Sequence, residues 1–590
     1  MERNAKLIDK KFYQYLLPSV LMIFAMQFGS LLDSIIIGNM IGSDSLTANS
    51  LVMPVLYIIQ IPGFALATGG SIAIGNLLGK RNIEQANKVF SGCLIFGTAI
   101  SCVFAVISPF VARPLATLFA ESLIDESYQY ILVYMATDPI LMIAIMLATF
   151  IATDNNPKRS AVFYIIANAV KVGVEILFIK VFNLGAYGAA LSLPVGYLFG
   201  FVTIIFYAKS KKRMLHFTFN LKGMKKEFAG ALKASVSTAL TFLLLAVQSF
   251  VINVVFSRMI TEAVDLIIFG LVSNLIFVFD LFSGGILGLI PTICGVLYGE
   301  KDIYSLRSVI RKIYIINIIV TALIMAVILI WPKGYAIVFG FNDAGDGMRQ
   351  AEFILRIYVI AAIPLEINKF STNYYPAIEK NVPSILTVVL REAVFIIPLT
   401  LVLLKTNGLF GYALARVITE FAVVLITYAF IFIYEIKHKQ YKGIFMLEKQ
   451  DVNTFDISVE NKLENAVVVS KEITGFATEH GVENRNAQVI GLACEEIISN
   501  IVHYGYKRQS ANYIDVNLKI SENELLLRIR DDGMPFDPTK YENDNDEVYL
   551  TGGIALIAGL CDEMNYMRVL NLNNTIFTIK LGEQTNGSQN

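Results

Sequence analysis

The sequence predicts a multi-pass α-helical membrane protein of about twelve spans in two six-helix halves, followed by a C-terminal α+β sandwich domain. Three observations predict it. Apolar runs of about 20 residues, the length that crosses a hydrocarbon core, recur up to residue 435. Short motifs return at an offset of about 220 residues. Past Glu435 the long apolar runs stop and polar and apolar residues mix. Composition agrees: of 590 residues 55% are hydrophobic and 16% charged, with mean hydropathy +0.60, where soluble proteins carry about 25% charged residues.

The runs fall at 14–40, 50–78, 88–112, 128–152, 160–182, 187–208, 229–256, 266–296, 308–331, 350–376, 382–404 and 409–434. Lysines precede the first run, which is too long for a signal-peptide core and is expected to stay attached as a span. Loops after even-numbered runs carry Lys80 and Arg81, Lys158 and Arg159, then Lys209, Lys211, Lys212, Arg213, Lys222, Lys225 and Lys226, then Lys301, Arg307, Arg311 and Lys312. Loops after odd-numbered runs hold isolated cations such as Arg113 and Lys333, with acids such as Glu121, Asp125, Asp343 and Asp346. The positive-inside rule then places the protein in the cell membrane with both termini cytoplasmic. The formal net charge of zero conceals this segregation, and nothing in it calls for a nucleic-acid partner. Five scattered cysteines without CxxC spacing give neither a disulfide framework nor a zinc site.

Leu77-Leu78-Gly79-Lys80-Arg81-Asn82-Ile83 returns as Leu297-Tyr298-Gly299-Glu300-Lys301-Asp302-Ile303, and Gly188-Ala189-Ala190-Leu191 as Gly411-Tyr412-Ala413-Leu414. Six spans per half is an even number, so the halves share an orientation, with a substrate cavity expected between them near the midplane. The resulting divisions are a first half at 10–208, a cytoplasmic linker at 209–228, a second half at 229–435, a linker at 436–451 and a soluble domain at 452–585.

Acids inside spans cost about 2.5–3.5 kcal/mol each and require a reason. Asp33 has no basic residue within two turns on its own helix; it reads as a coupling group that takes a proton or holds a cation, against the plainer reading of a hydrogen bond to a neighbouring helix. Glu175 has Lys171 one turn away, so an i,i+4 pair can neutralise it. Arg391 with Glu392, and Arg416 with Glu420, read as structural pairs. Asp138, Asp280 and Glu366 are further candidates for ion coupling, Lys369 standing three residues from Glu366.

Pro18, the Asp33–Gly38 segment, Gly69-Gly70 leading to Leu78-Gly79-Lys80, Ala152-Thr153-Asp154-Asn155-Asn156-Pro157 and Leu184-Gly185-Ala186-Tyr187-Gly188-Ala189-Ala190 resemble the multidrug and toxic compound extrusion (MATE) family over about residues 10–435. The resemblance implies export of amphipathic, cationic compounds by antiport with H+ or Na+, with the family's first-helix acid at Asp33 and its fifth-helix acid at Glu175. Lys171 stands where an asparagine is usual, and no acid occurs between Ala229 and Phe256, where some members carry one.

The C-terminal stretch reads as a strand near 454–459, helices near 460–480 and 484–504, strands at 513–520 and 524–531, a helix near 553–562, and strands at 564–570 and 574–580, largely antiparallel. Glu496 and Asn500, four apart, share a helix face. Arg530-Asp531-Asp532-Gly533 ends a strand in a carboxylate and a glycine turn, a pattern that accepts a hydrogen bond from an exocyclic amine. Thr551-Gly552-Gly553 reads as a turn opening a helix, where backbone N–H groups favour phosphate.

In this order the motifs resemble the GHKL ATPase superfamily, most of all the anti-sigma-factor-type serine kinases, over about residues 455–582. That resemblance implies bound ATP and Mg2+, with Glu496 as general base, Asn500 on the Mg2+, Asp531 and Gly533 at the adenine, and Gly552 with Gly553 closing over the phosphates. It also implies a cytoplasmic anti-anti-sigma-like protein partner. The usual glycine before Gly552 is Thr551, and Asp537, Glu542, Asp544, Asp546 and Glu547 make the preceding segment acidic.

The function expected from the whole chain is a cation-coupled multidrug antiporter in the lipid bilayer with a cytoplasmic ATP-binding regulatory or kinase-like domain. A membrane-anchored serine kinase whose helices sense a ligand, and a lipid-linked saccharide flippase, are the alternatives. No GxxxxGK[ST] loop is present to support ATP-driven pumping.

Overall fold

In a computed structural model the apolar runs form long helices, which satisfy every backbone group where no water can do so. The structure describes all residues except 1, 120–122, 211–212, 260–262, 340, 342–344, 449–452, 507–511, 541–547 and 582–590. Expectations placed on Glu121, Lys211, Lys212, Asp343 and the acidic stretch 542–547 lie outside the described residues. The chain divides into two compact units, one of Gln14–Asp302 and Val309–Met446, the other of Met1–Tyr13, Ile303–Ser308 and Leu447–Asn590.

The helical unit contains α2 (Met53–Gly79), α3 (Ile83–Phe119), α4 (Ile124–Thr153), α5 (Pro157–Lys180), α6 (Gly185–Ala208), α7 (Lys225–Met259) and α8 (Ala263–Leu287). Also in it are α10 (Asp346–Val359), α11 (Ala362–Ala377), α12 (Asn381–Val389) and α13 (Ile396–Lys437). Two helices, α1 (Lys6–Met40) and α9 (Ile303–Ile330), begin in the other unit and continue here. Among the described residues ten helices are long and apolar enough to cross a membrane. Three of the twelve expected runs are built otherwise. The run at 350–376 is broken into α10 and α11. The last two join in one helical stretch, Asn381–Lys437, inside which Gly408 is non-helical at φ 57° and ψ −145°. Glycine alone takes that conformation without strain, and beyond it a Cβ on Gly411 would stand 1.9 Å from the Leu403 carbonyl oxygen.

The sequence repeat is a repeat of backbone geometry. After α2, Arg81 takes φ 64° and Asn82 N–H donates to Leu77 O at 2.8 Å; after the short helix Gly295–Gly299 that follows α8, Lys301 takes φ 56° and Asp302 N–H donates to Leu297 O at 3.0 Å. Both are helix ends closed by a left-handed residue. A second such pair follows α4 and α11, at Asn155 (φ 61°) and Glu379 (φ 59°). The halves also touch reciprocally. A Cβ on Gly79 would lie 2.3 Å from Val296 O, and one on Gly299 would lie 2.2 Å from Asn76 O. Residue 76 stands to 79 as 296 stands to 299, so exchanging the halves maps the contact onto itself. The motifs are Gly75-xxx-Gly79 and Gly295-xxx-Gly299, whose missing side chains let two backbones meet.

Each half ends in a pinned segment. After α6, Met214 N–H donates to both Asp154 carboxylate oxygens (3.0 and 3.1 Å) and Leu215 N–H to one of them (3.4 Å), while Tyr207 also donates to Asp154. His216 N–H donates to Asn87 Oδ1 at 2.8 Å and Thr218 N–H to Ser91 Oγ at 2.9 Å. After α13, Tyr374 and Tyr375 donate at 2.8 Å to the carbonyls of Phe445 and Ile444, and Lys380 donates to the Tyr441 hydroxyl at 2.6 Å. Much of the stretch expected as a linker at 436–451 is therefore anchored.

The other unit is built on a five-stranded antiparallel sheet: β1 (Thr454–Glu460), β2 (Tyr513–Ile520), β3 (Glu524–Asp531), β4 (Glu563–Val569) and β5 (Leu572–Lys580), in spatial order β1-β2-β3-β5-β4. Strand alternation sends Ile514, Val516, Leu518, Leu525, Leu527 and Ile529 into one core with Ile473, Ile490 and Ile497 of α14 (Leu463–Glu479) and α15 (Asn484–Tyr504). Each such side chain contributes about 1.5–3 kcal/mol on burial. The intervening residues Asp456, Ser458, Asp515 and Arg530 lie on the opposite face of the sheet.

Candidate functional site

Two sites emerge, one in each unit. In the helical unit, Gly29 of α1 brings that helix so close to α5 that a Cβ would meet Asn168 Oδ1 at 2.3 Å. One turn on, Asp33 Oδ1 lies 3.0 Å from Lys171 Nζ. Asp33 is thus not the lone acid its own helix implies; its cation comes from α5, a partner that spacing along α1 does not reveal. Lys171 makes its ion pair across to Asp33 of α1, so the neutralisation expected along α5 is joined by a pairing between helices. Glu175 is fully buried beside the Asp33 carboxyl, and neither of its oxygens has a hydrogen-bond partner. Asp138 of α4 is also buried, with Oδ2 unpartnered.

The second half collects its charges into a network. Lys369 bridges Asp280 and Glu366 (3.0 Å to Glu366), and Asn317 donates to Glu366 at 3.3 Å. Arg391 pairs with Glu392 at 2.8 Å and with Glu420 at 2.9 Å; Arg416 reaches Glu420 at 3.2 Å, and Asn368 donates to it at 2.7 Å. The pairs expected along the chain are present but cross-linked through Glu420. Arg391 and Glu392 lie in a π-helical turn, Leu390–Phe395, whose wider winding places both ends of the pair in the interior.

In the sheet unit, α15 carries Glu496 and Asn500, and Asn500 Nδ2 donates to Glu496 Oε1 at 3.0 Å and to its carbonyl at 2.9 Å. This leaves Asn500 Oδ1 as an acceptor able to ligate a cation. A Cβ on Gly553 would stand 2.3 Å from the Glu496 carboxylate, so glycine there makes room for it. At the end of β3, Asp531 is buried and accepts from Gly533 N–H (2.7 Å) and Asn573 Nδ2 (2.9 Å). Burial pushes its carboxyl up to about 6, the two hydrogen bonds working against that rise. A Cβ on Gly533 would lie 2.5 Å from the Gly505 carbonyl oxygen. One expectation changes: the helix begins at Val548, so Gly552 and Gly553 lie within α16 (Val548–Leu560), not ahead of it. Buried Ile554 and Ile557 hold this turn on the core, and the helix tolerates the glycines at about 1 kcal/mol each. A buried carboxylate, an amide and a glycine-lined face form a set that fits a purine nucleotide with its metal ion.

Asp154 is the residue the sequence reading does not single out for a role. Its motif, Asp154-Asn155-Asn156-Pro157, holds the signal: a carboxylate at a helix end where a left-handed residue follows.

Ten long apolar helices among the described residues, a buried charge cluster in each half and a two-fold repeat define a polytopic membrane fold, and comparison with known proteins agrees. A family model described as MatE matches residues 18–177 and 237–402, and one described as histidine kinase-like ATPase domain matches 459–579. The chain belongs to the MatE family and carries a histidine kinase-like ATPase domain; it is a multi-pass membrane protein. Multidrug export protein MepA of Staphylococcus haemolyticus is 22% identical over 406 residues, covering 67% of this chain and 88% of that protein. Probable multidrug resistance protein YoeA of Bacillus subtilis is 23% identical over 209 residues, 34% of this chain and 45% of that protein, so the chain spans under half of its length. Among solved structures, a multidrug resistance MATE family transporter of the MOP superfamily in an outward-facing conformation superposes with a TM-score of 0.65 at 17% identity, covering 72% of this chain and 95% of that one. A MOP superfamily transporter from Pyrococcus furiosus, described as having a binding pocket of reverse polarity, gives 0.66 at 16%, covering 72% and 96%.

Proposed function

We propose that the helical unit exports amphipathic, cationic compounds in exchange for H+ or Na+, and that the C-terminal domain binds Mg-ATP and regulates it. The observation that carries the transport reading is the Asp33–Lys171–Glu175 cluster. The cluster sets two carboxyls against one ammonium, and Lys171 pairs with Asp33, so one carboxyl is left to take up a positive charge. A proton, a sodium ion or a cationic substrate each supplies that charge, and sites that accept one cation at a time exchange one for another. The second-half network repeats the imbalance, with Asp280, Glu366, Glu392 and Glu420 against Lys369, Arg391 and Arg416. MepA, a multidrug export protein, and YoeA, a probable multidrug resistance protein, are similar to this chain, which supports the same reading. The test is efflux of a cationic dye from vesicles under imposed proton or sodium gradients. Dye movement driven by one gradient and collapsed by its ionophore is expected; movement indifferent to both overturns the reading.

In the C-terminal domain Asn500 would hold the Mg2+, Asp531 would accept the adenine amine, and Glu496 would orient a hydroxyl or water. ATP supplies a transferable phosphoryl group when bound; the residues bind and position it. Asn500→Ala in the full chain is expected to weaken Mg-dependent binding of a fluorescent ATP analogue at least about tenfold. Unchanged affinity removes Asn500 from the site. Adenine recognition needs the ionised form of Asp531. As pH falls through about 6 that form is lost, so affinity is expected to rise with pH, being about tenfold weaker at pH 5 than at pH 7. Titration of analogue binding against pH in wild type and Asp531→Asn checks this, since the slope should vanish in the variant.

A further inference from the structure

The face of the sheet opposite α14 and α15 is polar and charged, yet its residues are buried. They are buried because this unit includes Met1–Tyr13 and Ile303–Ser308, the beginnings of α1 and α9. Arg3 lies on the face with Nη1 2.7 Å from Asp515 and Nε 3.4 Å from Asp456, its side chain 6% exposed. Asn4 N–H donates to Ser458 Oγ at 3.2 Å, and that hydroxyl donates to Asp515 at 2.7 Å. Lys6 donates to the Tyr513 hydroxyl at 2.5 Å. From α9, Ser305 Oγ accepts from Arg3 at 3.2 Å and from Arg530 at 3.4 Å, while the Tyr304 hydroxyl donates to the Arg3 carbonyl at 2.9 Å. Beyond the strand end, Asp532 Oδ2 receives Lys10 at 2.7 Å and Lys11 at 3.6 Å, and Tyr506 donates to its other oxygen at 3.1 Å.

Consecutive residues of one strand end thus serve two sides of the sheet. Asp531 accepts from Gly533 and Asn573 on the nucleotide side; Asp532 binds the two lysines of α1. Although burial raises the Asp532 carboxyl, Lys10 and Lys11 hold it below the usual carboxylate range, so it stays charged and keeps its grip at neutral pH. By connectivity, α1 continues into the first half and α9 into the second. Resting on the nucleotide-binding reading above, we propose that this sheet face is a clasp on one helix of each half, and that nucleotide at Asp531 tightens it through Asp532, restraining transport. Adenine on Asp531 fixes the 531–534 turn, which fixes the carboxylate that holds α1. A ligand that favours the clasped state must shift the population toward it, and breaking the clasp must in turn weaken the ligand.

The experiment uses the full chain in proteoliposomes and reads dye transport with and without a non-hydrolysable Mg-ATP analogue, together with analogue binding. Wild type is expected to slow at least about fivefold with analogue. Asp532→Asn and the pair Lys10→Gln with Lys11→Gln should transport as wild type does without analogue, still bind it, and no longer respond. Variants that bind analogue and slow as wild type does overturn the clasp. A second measurement does not depend on nucleotide. Asn4→Cys with Ser458→Cys, in a background where exposed Cys102 is replaced by serine, should cross-link and stop transport until reduced. Cross-linking with undiminished transport overturns the proposal. Loss of analogue binding in wild type with a cross-link that still arrests transport would instead reject the nucleotide reading alone.

Discussion

Gly299→Val is expected to reduce transport more than tenfold in vesicles while leaving membrane insertion intact. The added Cβ would stand 2.2 Å from Asn76 O, where a carbon and a carbonyl oxygen rest at about 3.3–3.6 Å. The two helices must then part by about 1 Å, and valine's methyls add to that. In a two-fold assembly, the place where equivalent residues of the halves meet is the place they must part and rejoin if the cavity opens alternately to each side. Gly79→Val should act alike, because Val296 O stands 2.3 Å from its virtual Cβ. Gly270→Val provides the control: it lies on the same helix as the route to Gly299 and its Cβ meets nothing within 4 Å. Transport by Gly299→Val at the level of Gly270→Val would show that this contact does not move.

Asp33→Asn is expected to abolish ion-coupled efflux, at least about tenfold below wild type, measured as gradient-driven dye movement. The substitution removes the carboxylate that faces Lys171 at 3.0 Å and leaves the cluster with one acid and one ammonium, no longer short of a cation. A purely structural role predicts something different. If Asp33 only neutralises Lys171, then removing both charges with Asp33→Asn and Lys171→Gln should restore transport along with expression. Restoration of expression without transport is the outcome the coupling role requires.

Much of this architecture is legible in the residues, for definite physical reasons. Strand periodicity places 513–520 and 524–531 at the bounds the structure has, because one buried face forces strict alternation. Helix existence follows from apolar length alone. What the sequence withholds is everything set by a second helix. Asp33 reads as solitary because its cation is carried on α5, over a hundred residues away in the chain. Glu420 reads as a partner for Arg416 because i,i+4 spacing is visible, whereas its bond to Arg391 is not. Gly553 reads as a turn because glycine pairs usually are turns; its actual role, yielding space to Glu496, depends on a contact between helices. The N-terminal residues read as a flank of the first span, since nothing local reveals a sheet face for Arg3.

The anchored segment that closes each half has an engineering consequence. Both halves finish in a short stretch tied back to their own helices, by Asp154 in one case and by Tyr374, Tyr375 and Lys380 in the other. The first such stretch hands the chain to another copy of the helical repeat, the second to an unrelated domain. A terminus held this way is a socket: whatever is appended starts from a fixed point, independent of its own fold. Grafting a different module after Phe445 should therefore yield chimaeras that keep the helical repeat intact.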